Sequence, residues 1–215
     1  MAGINPFDEN VPTPTLLRLP SYLDVIERAL QNGITRLSSS EIGDELGYGS
    51  VQVRKDLASV SNAGKPRTGF DVRQLEKDIR HALGYNENKN AILLGVGHLG
   101  RALMNYENFP DNGLHILAGF DIKPSDDPAL EGKVFPVSEM PDFCRDHDID
   151  LAILTVPAEA ADDAAAEVVG AGIRAIWNFS PTTLHVPDDV IVQDENIAES
   201  LGLLWYRMQT ENKDA

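Results

Sequence analysis

Gly95-Val96-Gly97-His98-Leu99-Gly100 restricts the fold more than any other segment of the chain. It follows an apolar run, Asn90-Ala91-Ile92-Leu93-Leu94, and opens a helical stretch reaching about Tyr106. Glycines at this spacing have separate tasks. Gly95 makes the tight turn, Gly97 lets the backbone approach a pyrophosphate, and Gly100 lets the helix pack on the strand. The first N–H groups of that helix then point at the phosphates. Asp121 closes the next strand, His115 to Phe120, 21 residues after Gly100. A carboxylate there can accept hydrogen bonds from ribose hydroxyls and repel a 2′-phosphate. The segment predicts a cofactor of the NAD type, a preference that the nearby Lys123 softens slightly.

The remainder keeps alternating. Strands are expected at Val134 to Val137, Asp150 to Val156, Arg174 to Asn178 and Val190 to Val192, with helices at Ser138 to His147 and from Ala158 to Ala171. Such alternation means an α/β fold, a Rossmann-type doubly wound parallel sheet with its ligand over the C-terminal strand ends. Thr155 and Pro157 in Thr155-Val156-Pro157, and Asn178 and Phe179 in Asn178-Phe179-Ser180-Pro181, are therefore candidates for the nicotinamide half of the site. Both segments are also ordinary strand-end turns. A last helix, Asn196 to about Gln209, carries Ile197, Leu201, Leu204 and Met208 on one stripe with Trp205 beside them. Its own sheet or a second subunit must cover it.

The first 90 residues read differently. Pro14 and Pro20 bracket the start of an amphipathic helix to about Gln31, with Tyr22, Leu23, Ile26, Ala29 and Leu30 inward. Ser38 and Glu41 form a capping-box pair that starts a helix from Ser39 to Leu46. A glycine turn follows, with Ser50 as the expected cap of a third helix. Val53, Leu57 and Val60 turn that helix's core face inward, which leaves Gln52, Lys55 and Ser59 outside and Arg54 at the edge. Gln can pair with adenine, and Arg or Lys with guanine or phosphate. The segment from Asn62 to Phe70 predicts a short wing that sets Lys65 and Arg67 against a nucleic-acid backbone. A helix from Asp71 to about Leu83 ends at Gly84. This organisation predicts a winged helix-turn-helix domain over 1–84, a Rossmann domain over 85–195 and a C-terminal helix and tail over 196–215. A generic three-helix bundle with a polar exterior is the plainer alternative for the first part.

The net charge of −16 argues against nucleic acid until its distribution is considered. Residues 1–90 carry 11 Lys/Arg against 12 Asp/Glu, whereas residues 91–215 carry 7 against 22. Between 50 and 70, four cations face Asp56 alone. DNA binding needs a basic contact surface, not a basic protein. No apolar run reaches the roughly 20 residues of a membrane span, and Met1 to Val11 lacks the regions of a signal peptide. The single cysteine, Cys144, excludes an intramolecular disulfide and points to a reducing, cytoplasmic setting. It reads as inert packing. No metal constellation and no acid–base constellation is found: His81, His98, His115, His147 and His185 are scattered. Asp126-Asp127 and Asp162-Asp163 read as solvated surface.

Four separated segments resemble the Rex family of redox-sensing transcriptional repressors. They are Gln52-Val53-Arg54-Lys55-Asp56, Gly95 to Leu103, Thr155-Val156-Pro157-Ala158 and Asn178-Phe179-Ser180-Pro181. The resemblance runs from Arg18-Leu19-Pro20 to the terminal helix. It implies a homodimer with winged-helix heads, Rossmann bodies and domain-swapped C-terminal helices, bound to an inverted-repeat operator in double-stranded DNA. NADH and NAD+ would compete as effectors. Genes of fermentation and respiration would be repressed when NAD+ dominates and released when NADH rises. By position, Ser39, Ser50, Gln52, Arg54, Lys55, Ser59, Lys65 and Arg67 would face DNA. Gly95, Val96, Gly97, His98, Leu99, Gly100, Tyr106, Asp121, Ile122 and Lys123 would hold the dinucleotide, with Tyr106 near the nicotinamide, together with Thr155, Val156, Pro157, Asn178, Phe179 and Ser180.

The chain departs from the family pattern in two places. Leu57-Ala58-Ser59-Val60-Ser61 stands where many members have Phe-Ser-Tyr-Phe-Gly after the Arg-Lys-Asp. Asp24 and Asn196 stand where some members couple their domains with an Arg and an Asp. Two other classes of function remain open at this stage. A small NAD-dependent oxidoreductase would need a substrate domain, and only about 20 residues follow the last strand. A CoA- or nucleotide-binding interaction module would bind no DNA.

Overall fold

The computed structural model describes residues 11–65, 67–124 and 130–211, so the first ten residues, Pro66, Asp126 and Asp127 lie outside it. Two compact units are present, Met1–Glu87 and Asn88–Ala215.

In the first unit, α1 (Thr13–Leu16) and α2 (Leu19–Gln31) each take a proline in the first turn, where no intrahelical N–H is needed. β1 (Arg36–Leu37) leads into α3 (Ser39–Leu46). The capping box forms: Glu41 N–H donates to Ser38 Oγ at 3.1 Å, and Ser38 N–H donates to Glu41 Oε2 at 2.7 Å. Helix α4 (Ser50–Val60) begins differently from expectation. Its N-cap is the extended Gly49, and Ser50 is its first helical residue with no capping side-chain bond. β2 (Gly64–Lys65) and β3 (Gly69–Asp71) make the wing, in a three-stranded antiparallel sheet ordered β1-β3-β2. α5 (Val72–Ala82) is capped by Asp71. Leu19, Tyr22, Ile26, Ile42, Val53, Leu57, Leu75 and Ile79 are fully buried in one core. Each fully buried Leu or Ile there contributes about 1.5–3 kcal/mol.

The second unit is a six-stranded, all-parallel sheet. Its strands are β4 (Lys89–Leu94), β5 (Leu114–Asp121), β6 (Val134–Pro136), β7 (Leu151–Leu154), β8 (Ala175–Asn178) and β9 (Ile191–Asp194), in the order β6-β5-β4-β7-β8-β9. Alternate residues of β4 serve opposite faces. Ile92 and Leu94 join the core under α7 (Met140–Asp146) and α8 (Ala158–Gly170). Ala91 and Leu93 join the core beside α6 (His98–Met104). A 3-10 turn, Val137–Glu139, occupies the start of the helix expected from Ser138. The chain closes with α9 (Ile197–Glu211), on which Leu201, Leu204, Trp205 and Met208 are about half exposed. No helix among the described residues is long and apolar enough to cross a membrane.

Candidate cofactor cleft and nucleic-acid interface

Register builds the cleft. Leu94 pairs with Phe120 on one side and with Leu154 on the other, so the residues that follow, Gly95, Asp121 and Thr155, reach the same edge of the sheet. The strand order reverses between β5 and β7 across β4, the position where an open α/β sheet leaves a crevice. Gly95 takes φ +92°, and a Cβ there would stand 2.9 Å from Thr155 O. At Gly100 a Cβ would meet Gly95 O at 2.3 Å. Neither position tolerates a side chain, which is why α6 can sit so close to the loop. Thr155 Oγ1 donates to Gly95 O at 2.6 Å and holds the two strand ends together.

A cavity of about 720 Å³ lies over this edge, lined by Gly95, Gly97, Asp121, Ile122, Thr155, Val156 and Pro157. Its size suits a small-molecule site. A Cβ added at Gly97 meets nothing within 4 Å. The Asp121 carboxylate is held in place by two backbone groups, Val96 N–H to Oδ2 and Lys123 N–H to Oδ1, both at 2.8 Å. Each oxygen keeps a lone pair for a further donor. Helix α8 adds Ala160, Asp163, Ala164 and Glu167 to the wall, which the sequence reading missed. Asp163 is exposed, as a solvated surface residue should be, and lines the cavity as well. The signal was present, since positions 160, 163, 164 and 167 share one helical face. Three carboxylates, Asp121, Asp163 and Glu167, thus line the cavity.

Other candidates do not line it. Val96 is buried, whereas His98, Leu99 and Lys123 are exposed. Asn178 is fully buried and tied to its own turn. Its Nδ2 donates to Thr182 O at 2.9 Å and to Asp194 Oδ1 at 2.7 Å, and its Oδ1 accepts from Ser180 N–H at 2.9 Å. Phe179 and Tyr106 belong to a row of rings: Tyr106 to Phe109 at 4.8 Å, Phe109 to Trp177 at 5.8 Å and Trp177 to Phe179 at 4.9 Å. Ser180 is buried, and its Oγ has no hydrogen-bond partner. Among the described residues no group of three His, Cys, Asp or Glu is placed to hold a metal ion. Burial pushes the Cys144 thiol up, away from the reactive thiolate.

In the first unit, Ser39 and Arg54 face Lys65 and Arg67 across a groove of about 600 Å³ between α4 and the wing. Arg67 holds φ +64°, the one non-glycine residue with positive φ among the described residues. Gln52, Lys55 and Ser59 open instead onto a smaller hollow of about 410 Å³, shared with Thr15, Arg18 and Asp56. Ser50 lines neither. Ser59 Oγ donates to the Asp56 carbonyl at 2.6 Å.

Asp56 has a role that sequence reasoning missed. It is 3% exposed. Its Oδ1 accepts from Thr15 Oγ1, Arg18 Nη2 and Gln52 Nε2, each at 2.9 Å. Its Oδ2 accepts from Arg18 Nε at 2.8 Å and Tyr22 OH at 2.7 Å. Burial works against the charge. The hydrogen bonds from Arg18, Tyr22, Thr15 and Gln52 together outweigh it and hold the carboxyl at about 2. The Asp56 hydrogen bond raises Arg18 in turn, and burial followed by the same carboxylate raises the Tyr22 hydroxyl.

Residues 10–58 match a family described as putative DNA-binding protein N-terminus, and residues 86–182 match one described as CoA binding domain. A redox-sensing transcriptional repressor Rex from Treponema denticola is 39% identical over 210 residues, covering 94% of this chain and 98% of its own. The chain belongs to the Rex family. A solved Rex-family repressor, RSP, in complex with β-NAD+ and operator DNA superposes with a TM-score of 0.82 at 35% identity, covering 94% of each chain. RSP in complex with β-NADH gives 0.82 at 34% identity, covering 94% of this chain and 96% of that one. Rex proteins are transcriptional repressors, so the chain is a non-enzymatic regulator and the oxidoreductase reading is set aside.

Proposed function

We propose that this chain represses transcription by holding operator DNA while NAD+ dominates and releasing it when NADH rises. One observation carries the reading. A winged helix-turn-helix with a cationic groove and a strand-reversal cleft guarded by Asp121 occur in one chain. The DNA-facing set is Ser39, Ser50, Gln52, Arg54, Lys55, Ser59, Lys65 and Arg67. The dinucleotide lies along Gly95 to Gly100 with its adenosine ribose on Asp121, and Ile122 and Lys123 follow in the same binding segment. Its nicotinamide end runs toward Tyr106, Thr155 to Pro157 and Asn178 to Ser180. The carboxylates of Asp121, Asp163 and Glu167 support NAD(H) against ligands with a phosphate on the adenosine ribose, NADPH and CoA among them.

The division 1–84, 85–195 and 196–215 gives the exposed stripe of α9 a task. Exchanged between two copies in the cytoplasm, it would make the homodimer whose two heads read an inverted repeat. NADH must then favour a dimer shape in which the heads no longer span both half-sites, since a ligand of equal affinity for both shapes shifts nothing. Tenfold weaker DNA binding needs a coupling of about 1.4 kcal/mol. With Asp24 and Asn196 at the two coupling positions, an Arg–Asp ion pair cannot supply it. Asn196 Oδ1 instead accepts from Ala198 N–H at 3.0 Å, at the start of α9.

The test is a selection of bound duplexes from random DNA, eluted in parallel with NADH, NAD+ and NADPH. An inverted repeat released by NADH alone is expected. Specific DNA indifferent to all three nucleotides would remove the redox switch. No enriched DNA with cofactor binding intact would leave an interaction module.

A further inference from the structure

Gln52 lies near the start of α4, on the face that also carries Lys55 and Ser59. Its side chain is not a free arm. Nε2 donates to Asp56 Oδ1 at 2.9 Å, one helical turn further on. Asp56 is pinned by Thr15, Arg18 and Tyr22, so the acceptor that Gln52 meets is a fixed point of the core.

This contact decides which way the amide faces. A flipped amide would set Oε1 against the carboxylate, acceptor against acceptor. The observed orientation spends one N–H of Nε2 inward. The second N–H and the lone pairs of Oε1 remain for an outside partner. One donor beside one acceptor on a planar amide complements N7 and the N6 amino group of adenine in the major groove. Asp56 itself contacts nothing outside. Its two oxygens already accept five hydrogen bonds, more than their roughly four lone-pair sites, and Arg18 balances its charge.

We propose that Asp56 is a positioning residue for base readout, orienting the Gln52 amide so that α4 reads an adenine at one position of each half-site. The proposal rests on the reading of α4 as the DNA-facing helix. It adds a sequence preference to that helix and names the buried group that sets it.

The experiment measures base preference position by position, by sequencing duplexes retained by the full-length protein and its variants. The unmodified protein is expected to prefer adenine at one position by roughly tenfold or more. Asp56→Leu removes the acceptor and should flatten that position to the level of Gln52→Ala, and the double variant should be no flatter. A merely structural role would weaken every position alike, so an unchanged preference in Asp56→Leu overturns the proposal. Retained adenine preference in Gln52→Ala overturns it as well. Because Asp56→Leu leaves Arg18 without its counter-charge, Arg18→Met/Asp56→Leu is profiled beside it, and the same single flattened position is expected. A measurement on the unmodified protein needs no folded variant. The Gln52 side-chain N–H that donates to Asp56 should resonate away from the free-glutamine position and exchange slowly with solvent, and a pair of signals at free-amide shifts would overturn the proposal. If the unmodified protein selects no sequence at all, the assignment of α4 to DNA fails first.

Discussion

Arg18 grips Asp56 through two parallel hydrogen bonds, Nε to Oδ2 at 2.8 Å and Nη2 to Oδ1 at 2.9 Å, and so ties the segment before α2 to the middle of α4. The carboxylate is 3% exposed, so its energetics are those of a buried pair rather than a surface ion pair. Arg18→Ala should cost about 3 kcal/mol, because it leaves a buried carboxylate without its cation. Thermal unfolding of the full-length protein checks this, and a midpoint shift under 2 °C would contradict it. The pH dependence has a definite sign. The Asp56 carboxyl is lowered from 3.8 to about 2, so its contribution is complete above pH 4 and lost as pH falls through 2. That contribution is about 2 kcal/mol. Arg18→Met/Asp56→Leu should lack this part of the acid transition.

The two glycines flanking His98 and Leu99 should respond in opposite ways. Gly97→Val adds a side chain into open cleft space, so the thermal midpoint should stay nearly unchanged while NADH binding is lost. Gly100→Ala drives a Cβ to 2.3 Å from Gly95 O and should cost about 1–3 kcal/mol in stability. A Gly97→Val protein that titrates NADH normally, followed by nucleotide fluorescence, would remove the loop from the site.

The acidic wall of α8 predicts a change in nucleotide choice. At separations of roughly 10 Å in a water-like medium, each carboxylate disfavours a ribose phosphate by ~0.4 kcal/mol. Asp163→Asn/Glu167→Gln should therefore tighten NADPH about fourfold, with NADH little changed. Calorimetric titration with both nucleotides decides it. Equal gains for both would mean that the wall acts on the whole dinucleotide.

At the wing, Arg67 holds φ +64° where glycine would be unstrained, and Thr68 N–H closes the turn onto Lys65 O at 3.2 Å. Relief of a left-handed non-glycine residue is worth about 1 kcal/mol. Arg67→Gly should raise the unfolding free energy by up to that amount while weakening operator binding. Gains in both would show that the arginine is not held there for DNA.

Lys55→Ala should weaken operator binding at near-physiological salt and leave NADH binding alone. If Lys55 meets a phosphate, the slope of log affinity against log salt should fall by about 0.9. A full-strength complex with an unchanged slope would take Lys55 off the interface.

Much of this organisation was legible in the residues. The Ser38–Glu41 capping box, the apolar period of α2 and α4, and the glycine spacing after β4 each act within a few residues, so local pattern suffices to place them. Asp56 was not legible. It looks like one charge on a helix, and its burial depends on Thr15, Arg18 and Tyr22, 41, 38 and 34 residues away. The structural use of Asn178 was not legible either, because its amide is held by Ser180, Thr182 and Asp194, the last of them 16 residues away.

By itself, then, the sequence determined the helical first part, the alternation that makes the second sheet parallel, the glycine turn after β4 and the face of α4 that turns outward. These follow from periodicity and from backbone conformations only glycine adopts readily. Only the tertiary structure decided which polar side chains are spent inside. Asp56 anchors α4, and Gln52 and Ser59 are already tethered to it, whereas Asp163 and Glu167 stay exposed at the rim of the cleft. A side chain's hydrogen-bond partners come from distant parts of the chain, and a buried polar group must find them wherever the fold brings them.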